Sequence, residues 1–386
     1  MHSAKNVMRI VCTGGGTGGH IYPGIAVADE IRALIAANGT TVELYWIGSA
    51  SGMDRSLVEK NLVSEGGSIT AFYGIPCGKL RRYFSLRNVL DVFKIIAGFF
   101  VSLWLLARLK PVCVFSKGGF VSVPPCRAAS FLRIPYYTHE CDCTPGLATR
   151  LNSGKARVVL VSYADTVSCF KQKVRERCKV TGNPVRPVFY EDHSREGRAF
   201  LELEPSNKKP VLLVLGGSLG ARQINSLVAE NFAWLTERFV VVHQTGRSFA
   251  DEYPEVMNLA SADYRPFAFI HAEMPAVVQA ADVVLSRAGA NSLWECAVCK
   301  KPMVLVPLCG SGTRGDQVDN ASFFEKRNIA KVLVGSEATS ENLKSALAFF
   351  LDEAHRAAAA EACQMLCGGE RPARSIARLI CEEFVI

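Results

Sequence analysis

Short apolar runs alternate along this chain with longer stretches in which apolar positions recur every three or four residues. The opening run VMRIVCT leads into a glycine-rich segment, then into PGIAVADEIRALIAANG with helical spacing, then into VELYWIGS. A near-continuous apolar run of about four to eight residues is the pattern of a strand covered on both faces, so this order predicts a βαβ unit. PVCVFSKGG, IPYYTHE and ARVVLVS continue the series, each closing on Gly, Ser or polar residues. They read as further parallel strands whose carboxyl ends share one edge.

The rhythm breaks at VTGNPVRPVFY, where prolines surround a Gly-Asn turn, and the charged stretch EDHSREGRAFLELEPSNKKP follows. It restarts with VLLVLGGSLGARQINSLV and runs on through FVVVHQTG, YRPFAFI, ADVVLSRAGANSLWECAV and PMVLVPLCG. A chain of 386 residues exceeds what one core usually organises. The expected fold class is therefore α/β: two doubly wound, Rossmann-like domains, residues 1–185 and 186–367, facing a cleft.

One segment departs from the pattern. Between Phe84 and Pro111 the polar positions Arg87, Asp91, Lys94, Gly98 and Ser102 trace a single narrow stripe on a helix, and nearly everything else is large and apolar. A helix covering one core needs far less apolar circumference, so the excess calls for a partner. The uncharged run from Ile95 to Ala107 falls short of the ~20 residues that span a bilayer. Lys79, Arg81 and Arg82 lie just upstream of Phe84. Together with Phe99, Phe100 and Trp104 they describe a surface that docks on anionic lipid, the alternative being a helix buried between neighbouring helices with a solvated basic loop beside it.

Composition narrows the classes. Apolar residues make up 49% and charged residues 21%, and mean hydropathy is +0.15, which suits two filled cores with apolar surface to spare. The net charge of +8 is modest and is not gathered into a basic tail, so an anionic small ligand or a membrane surface is expected rather than nucleic acid. The 14 cysteines are scattered behind the opening MHSAKNVMRIVCTGGG, which has no charged-then-apolar leader. They read as reduced thiols in a cytosol. The lone CxxC of Cys296 and Cys299 and the CxC of Cys141 and Cys143 have no partner pair at zinc spacing, and no metal site is expected.

Three glycine turns follow predicted strands: GGGTGGH at Gly14 to His20, KGGF at Lys117 to Phe120, and GGSLGAR at Gly216 to Arg222. Glycines let backbone approach a ligand, and the helix behind offers unpaired amides and a positive dipole end to an anion. Gly14, Gly16 and Gly19 satisfy GxGxxG, but so do Gly310, Gly312 and Gly315, and the second strand ends WIGSASG without the ribose-binding acid a dinucleotide site needs. A nicotinamide dehydrogenase is disfavoured on that ground. The absence of GxxxxGK[ST] likewise disfavours a P-loop enzyme.

The ordered series GGTGGH followed by PG, then KGGF, His139-Glu140, GNPVR, GGSLGAR, SRAGANSLWE and DQVDNA resembles the MurG family over nearly the whole chain. That family has the GT-B fold and transfers N-acetylglucosamine from UDP-GlcNAc to the undecaprenyl-linked muramoyl-pentapeptide lipid I, forming lipid II. The resemblance implies an inverting transfer to a C4 hydroxyl, with no cofactor required, by a peripheral enzyme on the cytoplasmic face of the inner membrane. It also implies a C-terminal helix, about 368–386, packed back on the first domain. Thr17, Gly18 and Gly19 would face the substrates, with His20 as candidate base and Asp142 and Glu140 behind it. Arg186 and Ser218 would meet the donor diphosphate or sugar, and Ile270 the uracil. Ala290, Asn291, Ser292, Leu293, Trp294 and Glu295 would hold phosphate and ribose, Glu295 through the ribose hydroxyls, and Gln317 would face the sugar.

Three positions depart from the family pattern. The HEQN motif reads His139-Glu140-Cys141-Asp142, so an amide becomes a carboxylate; Leu219 stands for a Gln, and Lys300 for a Gly. Other UDP-sugar enzymes of this fold, a UDP-GlcNAc epimerase, an oxidoreductase and a non-catalytic membrane-associated nucleotide binder remain as alternatives.

Overall fold

The computed structural model describes residues 7–37, 40–79, 86–216, 220–310 and 313–384. The chain forms two compact units, one of Met1–Arg186 with Glu370–Ile386, the other of Pro187–Gly369. Both are parallel sheets flanked by helices.

In the first unit the strands are β1 (Val7–Thr13), β2 (Thr41–Ser49), β3 (Ala71–Ile75), β4 (Cys113–Ser116), β5 (Tyr136–Glu140), β6 (Val158–Val161) and β7 (Cys178–Val180), ordered β3-β2-β1-β4-β5-β6-β7. All neighbours pair in parallel. In the second they are β8 (Val211–Leu215), β9 (Val240–Gln244), β10 (Tyr264–Phe267), β11 (Val283–Ser286), β12 (Met303–Leu305) and β13 (Ala330–Val332), ordered β10-β9-β8-β11-β12-β13. Each order reverses once, between β1 and β4 and between β8 and β11, and ligands of doubly wound sheets bind outside the strand ends at such a reversal. The glycine turns lie there: those after β1 and β4 flank the first reversal, and the segments after β8 and β11 flank the second.

The sequence pattern had announced every central strand but not β3, β7 or β13. These are edge strands, and AFYGI, CKV and AKV carry no long apolar run because one side of each has no neighbour to bury against. The Pro372–Phe384 helix belongs to the first unit, where it packs on the Gly18–Ala37 helix and buries Ile376, Ala377 and Ile380 completely. Glu383 anchors its end, accepting from the Tyr137 hydroxyl and pairing with Arg157 at 3.0 Å.

The segment singled out for its apolar excess is a helix, Leu86–Leu109. Three positions of its small and polar stripe face inward, while Lys94 is exposed. Asp91, Gly98 and Ser102 are buried, and the Ser102 hydroxyl donates to the Gly98 carbonyl at 2.7 Å. Gly98 has no room for a Cβ against the Pro76 carbonyl, so a glycine lets the helix lie close on that segment. By length and composition alone Val89–Leu109, with mean hydropathy 2.1, is long and apolar enough to cross a membrane, so the shortness of the uncharged run does not decide the matter. Its carboxyl-terminal end is packed, with Leu105, Leu106 and Leu109 buried in the core shared with β1, β4 and β6, while much of the rest of that apolar span is exposed.

All fourteen cysteines are free. Cys296 and Cys299 meet Cys363 and Cys367 where the Ala290–Val298 and Glu353–Cys367 helices pack, and burial pushes Cys299, Cys363 and Cys367 up to about 12. At neutral pH they stay thiols. The neighbouring Lys300 sits at φ 58°, the left-handed region that suits a glycine better than a side-chain-bearing residue. Lys300→Gly is expected to stabilise the protein by about 1 kcal/mol in denaturant titration. An unchanged or lower midpoint would show that the turn is not strained.

Candidate active site

The loop after β1 is held from two sides. Asp54 accepts from the Gly16 N–H at 2.9 Å and the Ser49 N–H at 2.8 Å, and the Trp46 indole donates to the Gly14 carbonyl at 3.2 Å. Asp54 is fully buried; burial raises its pKa, and these two backbone donors pull it back. Thr17 is exposed, Gly18 and Gly19 open the Gly18–Ala37 helix, and His20 follows with its N–H on the Thr17 carbonyl at 3.1 Å. The His20 ring lies on the KGGF turn, where a Cβ at Gly119 would come within 2.8 Å of its Cδ2. Gly119, at φ 78°, therefore has to be glycine twice over.

His139 lies in β5 beside this loop but is buried, and its Nε2 donates to the Gly182 carbonyl at 3.0 Å. Burial, then Lys117, holds its pKa well below the usual imidazole range. Glu140 is buried too. Its oxygens accept from Asp142 N–H at 3.1 Å, Gly146 N–H at 2.9 Å and the Thr149 hydroxyl, while burial, then Asp142, raises its pKa. So engaged, Glu140 clamps the turn that carries Asp142. Asp142 is the more exposed carboxylate, and with Glu140 and Cys141 it forms, among the described residues, the group whose three ligand atoms lie within 4.8 Å of one another. Arg186 lies with its guanidinium 4.9 Å from the Tyr22 ring, on the first helix.

In the second unit a cavity of about 270 Å³ opens at the strand reversal, lined by Gly216, Gln244, Met274, Ser286, Arg287, Gly289, Ser292, Glu295 and Gln317 among others. Ser292, Glu295 and Gln317 were named from the sequence and come together here. Gly289 precedes the Ala290–Val298 helix, so Ala290 and Asn291 present first-turn amides at its N-terminus. Ala290, Leu293 and Trp294 turn their side chains into the core, Trp294 edge-on to Phe324 at 6.2 Å, which leaves only their backbone for a ligand. The Ile270 N–H already donates to Gln244 Oε1 at 3.0 Å, and Gln317 accepts from the Leu308 N–H at 2.9 Å. Ser218 lies outside the described residues, as does Leu219.

Sequence reasoning passed over Gln244 and Arg287. Arg287 donates to Gln223 and to the Val306 carbonyl, both at 2.9 Å, and burial lowers its pKa without removing its charge. It stood inside SRAGANSLWE, where a cation before an anion-binding helix was the available signal.

Two domain descriptions match the chain: the glycosyltransferase family 28 N-terminal domain over residues 10–161 and the C-terminal domain over residues 211–380. The UDP-N-acetylglucosamine–N-acetylmuramyl-(pentapeptide) pyrophosphoryl-undecaprenol N-acetylglucosamine transferase of Treponema denticola is 50% identical over 336 residues, 85% of this chain and 84% of that one. The chain belongs to the MurG family. The Clostridium botulinum transferase of the same name is 37% identical, over 89% of this chain and 91% of its own. Among solved structures, Acinetobacter baumannii MurG shares the fold, with TM-score 0.70 and 24% identity over 97% and 99% of the two chains. The UDP-GlcNAc 2-epimerase of Neisseria meningitidis shares it at TM-score 0.64 and 14% identity, over 97% of this chain and 98% of that one. The MurG family membership makes this chain a glycosyltransferase of two doubly wound domains, with the GT-B fold.

Proposed function

We propose that this protein transfers N-acetylglucosamine from UDP-GlcNAc to the C4 hydroxyl of undecaprenyl-pyrophosphoryl-MurNAc-pentapeptide, making lipid II with a β-1,4 link and inversion at the anomeric carbon. The observation that carries this reading is the 50% identity to the Treponema denticola transferase over most of both chains. The cavity of the second unit is suited to the donor. Glu295 accepts from a ribose diol, and the amides at Ala290 and Asn291 with Arg287 stabilise charge on departing UDP. Because these groups supply the positive charge, the reading requires no cofactor.

In the reaction the acceptor oxygen bonds to the anomeric carbon as the bond to UDP breaks, and the hydroxyl proton passes to a base. His139 and Glu140 are buried, whereas His20 and Asp142 are partly exposed, and imidazole is the commonest general base, so His20 is the first candidate and Asp142 the second. The deciding measurement is release of UDP with and without the lipid-linked acceptor, in the presence of a chelator. Acceptor-dependent release and a disaccharide product support the reading. Turnover of UDP-GlcNAc without acceptor supports an epimerase instead.

On this reading the work is done at the cytoplasmic face of the inner membrane, and the Leu86–Leu109 helix is the docking element of the proposal. Phe93, Phe100 and Trp104 are 65%, 61% and 57% exposed, although apolar side chains of this size are normally covered. Phe99, half-buried, packs edge-on to Phe131, which is itself 70% exposed and widens the strip. Lys79 is exposed beside it; Arg81, Arg82 and Phe84 lie outside the described residues. Burying such a side chain is worth about 1.5–3 kcal/mol. Replacing Phe93, Phe100 and Trp104 together by serine is expected to cut partitioning onto anionic vesicles more than tenfold, and reversing the charge of Arg81 and Arg82 to weaken it further at low salt. Unchanged co-sedimentation of the triple variant sinks the docking surface.

A further inference from the structure

β9 is apolar from Val240 to Val242 and then carries His243, fully buried one residue before Gln244, which lines the cavity of the second unit. The ring is engaged at both nitrogens. Nδ1 lies 3.1 Å from the Tyr264 hydroxyl on β10, and Nε2 lies 3.1 Å from Asn225 Oδ1 on the Arg222–Glu230 helix. The Asn225 amide in turn donates through Nδ2 to the Thr245 carbonyl at 2.9 Å. That last bond gives the chain its direction. An Asn225 that spends its NH2 on Thr245 turns its acceptor to the ring, so Nε2 carries the imidazole proton and Nδ1 accepts from Tyr264. Burial lowers the His243 pKa to about 3 and raises that of the Tyr264 phenol, so both stay uncharged at neutral pH.

Filling a core needs no such chain, since an aliphatic side chain would do it. A satisfied buried network fixes one arrangement of the elements it joins. Here these are β9, β10 and the Arg222–Glu230 helix, at the strand ends that face the cavity. Gly220, the last glycine of GGSLGAR, sits at φ 79° and has no room for a side chain: a Cβ would stand 2.7 Å from the Thr245 carbonyl, the oxygen that Asn225 holds. Gly246 follows Thr245 at φ 78°, with the Thr245 hydroxyl 3.0 Å from its carbonyl. The residue that closes the glycine turn after β8 therefore rests on the turn after β9. Gly216 and Gln244, which lead into those two turns, both line the cavity.

We propose that His243 is a positioning residue of the donor site: by holding Asn225 against the Thr245 carbonyl, its imidazole sets the spacing of the turns after β8 and β9 on which UDP is bound. It acts through Asn225 and touches no ligand itself. The assignment rests on the reading that UDP-GlcNAc fills this cavity.

The test is UDP binding by calorimetry on the intact protein and on three variants: H243F, which keeps an aromatic ring and removes both bonds, H243Q, which keeps a donor for Asn225, and N225A. Each is measured well below its thermal midpoint, so that folding is not what is read. H243F and N225A are expected to weaken UDP by about tenfold or more and to raise the UDP-GlcNAc KM alike, with the acceptor KM within about twofold of wild type. H243Q is expected to bind within about threefold of wild type. Because the two residues act in series, H243F/N225A together should bind UDP no worse than the weaker single variant, whereas independent losses would multiply to about a hundredfold. Multiplied losses overturn the proposal, as does an H243F that melts earlier but binds UDP within about twofold of wild type. If H243F does not fold, N225A and H243Q decide: loss in the first with binding kept in the second supports the assignment, and any other pair of results overturns it. A wild type that binds no UDP sinks the donor-site reading itself, an outcome distinct from equal binding by wild type and variants.

Discussion

His20→Ala lowers kcat by about 10²- to 10⁴-fold at saturating donor and acceptor, the usual contribution of a positioned general base. The expectation rests on burial as much as on chemistry. His139 gives its Nε2 proton to the Gly182 carbonyl and is held neutral by burial, and the Glu140 oxygens are taken up by the Asp142–Thr149 turn. His20 sits instead at the mouth of the first helix, half-exposed, its ring fixed against Gly119. A kcat near wild type under saturation would remove His20 from proton transfer and pass the role to Asp142, where Asp142→Asn would then carry the large loss.

Glu295→Ala raises the KM for UDP-GlcNAc by about 30- to 150-fold, the equivalent of roughly 2–3 kcal/mol for a charged acceptor lost from two hydroxyl donors. Glu295 lines the cavity of the second unit within the first two turns of the Ala290–Val298 helix, where its charge also favours the helix end. The acceptor KM should not move. The check is the pair of KM values together with UDP affinity by calorimetry: a variant that binds UDP as the wild type does would make Glu295 a helix-end acid and nothing more.

The legible part of this molecule was the part buried on both faces. Runs such as VLLVL and VVVHQ can be little else than central parallel strands, and the glycines after β1, β4 and β8 mark where such strands meet ligand. Ser292, Glu295 and Gln317 were named through the resemblance to the MurG family, and the cavity of the second unit brings them together. What the pattern hid depends on the third dimension. Edge strands such as Cys178–Val180 are half-covered and carry no apolar run to read. The inward turn of Asp91, Gly98 and Ser102 is invisible in a helical wheel, which gives a stripe but not the side on which the core lies. Glu140 looks from the sequence like an acid free to act, and only the hydrogen bonds from the following turn show it spent on structure. Lys117 was read as part of a glycine turn because nothing in KGGF tells that its ammonium points inward.

The helix Pro372–Phe384 lies far along the chain from the strands it covers, for the whole second unit intervenes between Arg186 and Glu370. Its Ile376, Ala377 and Ile380 fill the same core as Ile25, Ala28 and Ile31 of the first helix. During synthesis the unit made first must therefore wait, one face of its sheet layer uncovered, until residues 372–384 have been made, while the unit of Pro187–Gly369 can close without them. A stop codon placed after the last residue of the second unit's cavity would thus strike the first unit.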